Sequence, residues 1–203
     1  MLPNRIFFTG IPGSSWSKVS EIIEQLDGIN TSDHSDTRLF IHSKEKGRHA
    51  GAYFGNGMEF SLDLSEENIN SPWDTLSGTK IVKGHEWSIC LPEILTQYPN
   101  DWIFLIYTPV NTSIRHWLNS GGFDIKYPNY SFYKNKETMQ EMTTHQTELM
   151  LQFSKQHSAT WNHFTPNWLS TTFNQPLTPS IYKLFDDVHH ASNMLVTVIK
   201  GKN

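Results

Sequence analysis

The sequence predicts an α/β fold, with helices on both faces of a central mostly parallel sheet, and three observations carry that reading. Two short runs, "RIFFT" ending at Gly10 and "WIFLIY" (Trp102–Tyr107), are continuous in apolar residues, as strands buried on both faces are. Segments of helical period stand between the strand candidates rather than after them, which favours a layered α/β arrangement over separate α and β parts. The chain also opens as strand, glycine turn and helix.

Taken in order, residues 5–9 form the first strand, and Val19, Ile22, Ile23 and Leu26 fall at helical spacing before Gly28 stops the helix. Residues 33–78 turn polar and glycine-rich, a loop-rich excursion in which "GAYFGNGMEF" places an Asn-Gly turn between aromatic flanks and predicts a hairpin. "KIVK" (Lys80–Lys83) is a short strand, residues 93–98 a short helix ending near Pro99, and Trp102–Tyr107 the clearest core strand. Residues 113–119 read as a helix closed by Gly121 and Gly122, and the aromatic loop "FDIKYPNYSFY" follows. A long helix is expected over residues 136–156, with Met139, Met142, Leu149 and Phe153 on or near one face, and a last strand over 195–199.

The 203 residues suit one compact domain spanning 1–203, and no linker divides them. Hydrophobic residues at 37% and aromatic residues at 13% are too many for a disordered chain, so a packed core is expected. A formal net charge of -4 argues against a broad nucleic-acid surface and leaves room only for a focused anion pocket. Cys90 is the sole cysteine, which rules out an intrachain disulfide and any zinc site built on cysteines. The ten histidines are scattered without HExxH-type spacing, so no metal is expected. No segment approaches the ~20 apolar residues of a membrane span, and a cytoplasmic setting is expected.

The stretch "TGIPGSSWSK", between first strand and first helix, is placed to aim backbone N–H groups at a phosphate. Set against the Walker pattern GxxxxGK[ST], Gly10 and Ser17 hold the first and last positions, but Ser15 stands for the second glycine and Trp16 for the lysine. Lys18 lies beyond Ser17, on the wrong side to replace that lysine simply, which disfavours ATP or GTP hydrolysis. Glycines and serines are also common in ordinary strand-to-helix turns, so the stretch alone leaves both readings open.

Three stretches in order resemble the P-loop-like sulfotransferases that use 3′-phosphoadenosine 5′-phosphosulfate (PAPS). The family's "PKSGTTW"-like loop is resembled by "PGSSWSK", that is Pro12, Gly13, Ser14, Ser15, Trp16, Ser17 and Lys18; its "KTHLP"-like segment by Lys83, Gly84 and His85; its "ARNPKD…S" segment by "YTPVNTSIRH". "HWLNSGGFDIKYPNY" resembles a short sulfotransferase-like group, and "TWNHFT" resembles the family's "WKNHFT". The departures are that Gly13 replaces the loop lysine, Thr108 the arginine that holds the 3′-phosphate, and His116 the serine that accompanies it.

The resemblance implies a P-loop NTPase-like three-layer sandwich, PAPS as sulfuryl donor, no metal, and a hydroxyl- or amine-bearing small molecule or glycan as acceptor. It implies His85 as the base that deprotonates the acceptor, a role suited to a histidine titrating near neutrality. The N–H groups of Gly13 to Ser17, the hydroxyls of Ser14, Ser15 and Ser17, and Lys18 would hold the donor, with Ser113, Arg115 and His116 as replacement ligands of the 3′-phosphate. Trp87, Tyr127, Tyr130 and Tyr133 are candidates for an acceptor pocket; the tyrosines would equally serve an aromatic cluster or a subunit contact in a homo-oligomer. Each residue also has a plainer use: His85 in the core, Trp16 packed between helix and sheet, Arg115 solvated on a helix. Two rival functions stand beside transfer: a small-molecule or nucleotide kinase with a degenerate loop, and a sulfotransferase fold that binds without catalysing.

Overall fold

The computed structural model describes residues 2–34, 41–43, 48–50, 59–60, 62–124, 133–186 and 194–202. In chain order these form β1 (Arg5–Gly10), α1 (Trp16–Ile23), a hairpin of β2 (Ile41–Ser43) and β3 (Arg48–Ala50), α2 (Glu66–Asn70) and β4 (Lys80–Lys83). A 3-10 turn (His85–Ile89), α3 (Leu91–Gln97), β5 (Trp102–Tyr107), α4 (Val110–Asn119) and a second 3-10 turn (Gly122–Asp124) follow. The chain continues through α5 (Lys136–Gln156), β6 (Asn162–His163), α6 (Pro166–Phe173), α7 (Pro179–Asp186) and β7 (Leu195–Lys200).

Among the described residues the main sheet has five strands in the order β4-β1-β5-β7-β6. β1 runs parallel to β4, with Phe8 opposite Lys83, and to β5, with Gly10 opposite Ile106. β7 is antiparallel to both of its neighbours, so the sheet is mixed around a parallel centre. The alternation of strands and helices that predicted parallel pairing carries no information on the direction from which a terminal strand enters.

The continuous apolar strands are explained by helices on both faces. Ile6, Phe8, Trp102, Phe104 and Ile106 point to one side, against Trp16, Val19, Ile22 and Ile23 of α1, Leu169 and Phe173 of α6, and Ile181 and Phe185 of α7. The alternate residues Phe7, Ile103 and Leu105 point to the other, against Trp87, Leu91, Ile94, Met150 and Phe153. Each such side chain, once fully buried, contributes ~1.5–3 kcal/mol.

Several boundaries move for local reasons. α4 starts at Val110, earlier than expected, because Pro109 supplies a fixed φ at its N-cap. α6 and α7 were not foreseen, yet both begin at a proline after a threonine: Thr165 Oγ1 accepts from Trp168 N at 3.2 Å, and Thr178 Oγ1 from Ile181 N at 3.4 Å. A hairpin pairs Ile41–Ser43 with Arg48–Ala50, and the hairpin expected around Asn56-Gly57 lies outside the described residues.

At the β4 edge, charge is buried with its partner. Lys83 Nζ lies 2.7 Å from Glu24 Oε1, both side chains being largely buried, and His34 Nε2 sits 3.4 Å from the other oxygen of Glu24 and 3.8 Å from Asp33. The hydrogen bond and charge of Glu24 raise His34 above its ordinary 6.5. A histidine raised on folding contributes stability that is fully present below its unfolded value and lost as pH rises through the folded one. The melting temperature is therefore expected to fall as pH is taken upward from 6.5, and His34→Gln to flatten that slope. A variant with an unchanged slope would refute the linkage.

Candidate functional site

The carboxyl ends of the parallel strands β4, β1 and β5 meet at one end of the sheet, where ligand sites of open α/β sheets are placed. The loop after β1 is built by its own sequence. Pro12 and Gly13, with Gly13 at φ +80°, occupy the second and third positions of a turn closed by Ser14 N donating to Ile11 O at 3.1 Å, as in a type II turn. A Cβ on Gly13 would lie 2.0 Å from the carbonyl oxygen of Ser113, so only glycine lets the loop sit against α4. Gly10 serves a similar end, since a Cβ there would come within 2.7 Å of Ser14 Oγ.

Ser15 takes a left-handed conformation (φ 67°, ψ 18°) at the N-cap of α1, and its side chain makes no capping bond. The N–H groups of Gly13, Ser15, Trp16 and Ser17 have no acceptor among the described residues, whereas Lys18 N and Val19 N already donate to Ser15 O. Ser14 is fully buried and its Oγ has no hydrogen-bond partner among the described residues. Buried hydroxyls are satisfied in the great majority of cases, so this one marks an incomplete polar site. From β5, Thr108 Oγ1 donates to Ser14 O at 3.3 Å and Ser113 Oγ to Thr108 O at 3.4 Å, which braces the loop from behind.

His85, which opens the 3-10 turn just past β4, joins the same loop. Its Nδ1 makes a short hydrogen bond to the carbonyl oxygen of Gly10; because a carbonyl only accepts, Nδ1 carries the proton and Nε2 the lone pair. The ring lies 4.3 Å from that of Trp16, centroid to centroid. His85 is 2% exposed, and burial pushes it down to about 3, so it is neutral at physiological pH. Its backbone is fixed on both sides: N donates to Glu59 Oε1 at 3.0 Å, and O accepts from Thr9 Oγ1, Ser88 Oγ and Gln146 Nε2. Tyr133 in turn donates to Gln146 Oε1 at 2.9 Å, and burial raises its phenol.

The structure thus brings Pro12 to Ser17, His85, Thr108 and Ser113 together, and sets the other sequence candidates apart. Lys18 Nζ turns outward to Glu21, 3.2 Å away. Trp87 is a core residue with no exposed surface, its ring edge-on to Phe7 and its Nε1 donating to Val82 O at 3.1 Å, so it lines no acceptor pocket. Tyr133 is buried on Gln146 and packs in a hydrophobic cluster with Ile114, Trp117 and Met139. Arg115 lines a groove between α4 and α5, on the side of the helix away from Gly13, and His116 is half-buried on α4. Tyr127 and Tyr130 lie outside the described residues.

Sequence reasoning missed Glu59 and Gln146. Gln146 was the more findable, because Thr143, Gln146 and Thr147 interrupt the apolar face of α5 at positions that the helix buries. Among the described residues no group of three or more His, Cys, Asp or Glu side chains could hold a metal ion, and no helix is long and apolar enough to cross a membrane. Comparison with family models, curated proteins and solved structures returns no match for the chain. The site therefore rests on its own chemistry.

Proposed function

We propose that the chain is a sulfotransferase whose 10–18 loop receives the phosphosulfate of PAPS and moves the sulfuryl group to a hydroxyl or amine of a small molecule or glycan. The observation that carries this reading is the donor set of the loop: four unengaged N–H groups at the head of α1 and the buried, unpartnered Ser14 hydroxyl. Such a set fits an oxyanion. The bound nucleotide would supply the sulfuryl group; the chain would supply the N–H groups of Gly13, Ser15, Trp16 and Ser17, the Ser14 hydroxyl, and at His85 a lone pair on Nε2 to accept the proton of the acceptor.

A second reading, nucleotide binding without transfer, is favoured by the burial of His85 beneath Trp16 and by its depressed basicity. No observation favours the kinase. Its phosphate-binding lysine would stand where Trp16 is buried against Phe8 and His85.

Calorimetric titration with adenosine 3′,5′-bisphosphate is expected to show saturable binding and a raised melting temperature, both weakened by Ser14→Ala. The absence of heat and of a thermal shift at millimolar nucleotide would remove both nucleotide readings. Loss of sulfuryl transfer from labelled PAPS in His85→Asn, with binding retained, separates the first reading from the second; binding with no transfer by the wild-type chain leaves the second.

A further inference from the structure

We infer that the groove between α4 and α5 is a second ligand site, apart from the loop, for a small polyhydroxylated oxyanion: a sugar carrying a sulfate or phosphate ester. From α4 come Asn111, Ile114, Arg115, Leu118 and Asn119, spaced as one stripe of a helix, and from the first turns of α5 come Lys136 and Gln140. The open groove they line has a volume of about 240 Å³, room for one sugar-sized ring.

The chemistry of this lining is selective. Among the described residues that line it are two cations and no carboxylate, on a chain whose net charge is -4. Arg115 and Lys136 have no ion pair among the described residues, whereas Arg5, Lys18 and Lys83 are each paired with a carboxylate. A guanidinium and an ammonium on facing helices suit a tetrahedral oxyanion held from two sides. Asn111, Asn119 and Gln140 each offer both a donor and an acceptor, the pairing a hydroxyl requires, and none of the three side chains has a partner among the described residues. Leu118, 41% exposed, and buried Ile114 form an apolar wall of the kind that the C–H face of a sugar ring covers.

The groove is also separate from the loop. α4 places the backbone of Ser113 and Trp117 against Gly13, and at ~100° per residue Arg115 falls on the opposite side of the helix. The small volume and the acidic chain oppose a nucleic-acid strand as occupant.

The test is titration of the full chain with glucose 6-sulfate and glucose 6-phosphate, with inorganic sulfate, glucose and a short single-stranded DNA as controls. Both esters are expected to bind, the two separating a sulfate from a phosphate preference, while glucose and inorganic sulfate bind at least tenfold more weakly. Arg115→Ala should weaken the esters about tenfold, since a hydrogen bond to a charged group is lost. Lys136→Ala should weaken them less, and Ser14→Ala should leave them unchanged. All three positions can be checked for folding by melting curves. The inference is overturned by unchanged affinity in the Arg115→Ala, Lys136→Ala double variant, by loss in Ser14→Ala, by inorganic sulfate binding as tightly as the esters, or by DNA binding more tightly through the same two cations. It is likewise overturned if Arg115→Ala weakens adenosine 3′,5′-bisphosphate as much as the sugar esters, because the groove would then belong to the nucleotide site. Failure here leaves the reading of the loop untouched.

Discussion

Gly13→Ala is expected to destabilise the chain by about 3 kcal/mol or more, roughly 6–12 °C in melting temperature, and to abolish anion binding at the loop. Two costs combine. The left-handed φ of +80° disfavours any residue with a Cβ, by ~1–2 kcal/mol. The added methyl would also stand 2.0 Å from the carbonyl oxygen and 2.8 Å from the carbonyl carbon of Ser113, both backbone atoms of α4 that cannot rotate away. Gly28 separates the two effects, because its φ is +82° but a Cβ there would meet only Leu2 Cδ1, at an ordinary 3.6 Å. Gly28→Ala should therefore show the conformational cost alone. If the two alanine variants melted together, the loop would not be seated against α4 as described. The functional consequence follows from the same overlap: pushing Gly13 off Ser113 shifts the N–H groups of Gly13, Ser15, Trp16 and Ser17 relative to one another, and a cradle of dipoles works only while they converge.

The loop was the most legible part of the chain, since Ile-Pro-Gly-Ser is a turn with a mechanism: a fixed φ, then a residue free to adopt a positive one. The central strands were nearly as clear, because burial on both faces leaves Ile6–Phe8 of β1 and Trp102–Ile106 of β5 as unbroken apolar runs. Depth was not legible. "KGHEW" reads as a polar stretch, yet His85 and Trp87 are both buried, one beneath Trp16 and the other between Phe7 and Phe60, through contacts made by distant parts of the chain. Arg115 illustrates a different limit. A position just after a core strand made it a candidate for the loop's ligand, but α4 presents Ser113 and Trp117 to the loop and turns Arg115 to α5. Helical phase decides which of two neighbours faces a site, and phase depends on where the helix starts. α6 and α7 were legible too: each follows a Thr-Pro start, and their buried pairs Leu169 and Phe173, Ile181 and Phe185 stand at i, i+4, but each runs only eight residues. The antiparallel entry of β7 had no local signal at all.

Lys83→Met is expected to cost about 3–5 kcal/mol, because it strips the partner from a buried carboxylate. Glu24 is held at about 2 by the charge of Lys83 and its hydrogen bonds, against the upward push of burial. A carboxylate depressed in this way contributes stability that is present above its ordinary 4.5 and lost as pH falls through about 2. Without Lys83 only the hydrogen bond and charge of His34 are left to oppose burial, so Glu24 rises from about 2, and the acid-side loss of stability should begin at a higher pH than in the wild type. Glu24→Leu alone leaves the ammonium unpaired and should be costly as well. The double variant, apolar on both sides and of similar volume, should recover most of the loss, since the pair itself contributes little beyond avoiding an unpaired charge. Urea unfolding of the wild type and the three variants at neutral and acid pH measures all of this in one cycle. A double variant as unstable as the sum of the singles would show that the two charges are not coupled. The result reaches the site as well, because Lys83 is followed by Gly84, whose N–H bonds Phe8 O at 3.1 Å, and then by His85. The pair fixes the end of β4, and the end of β4 sets the ring of His85 against Gly10.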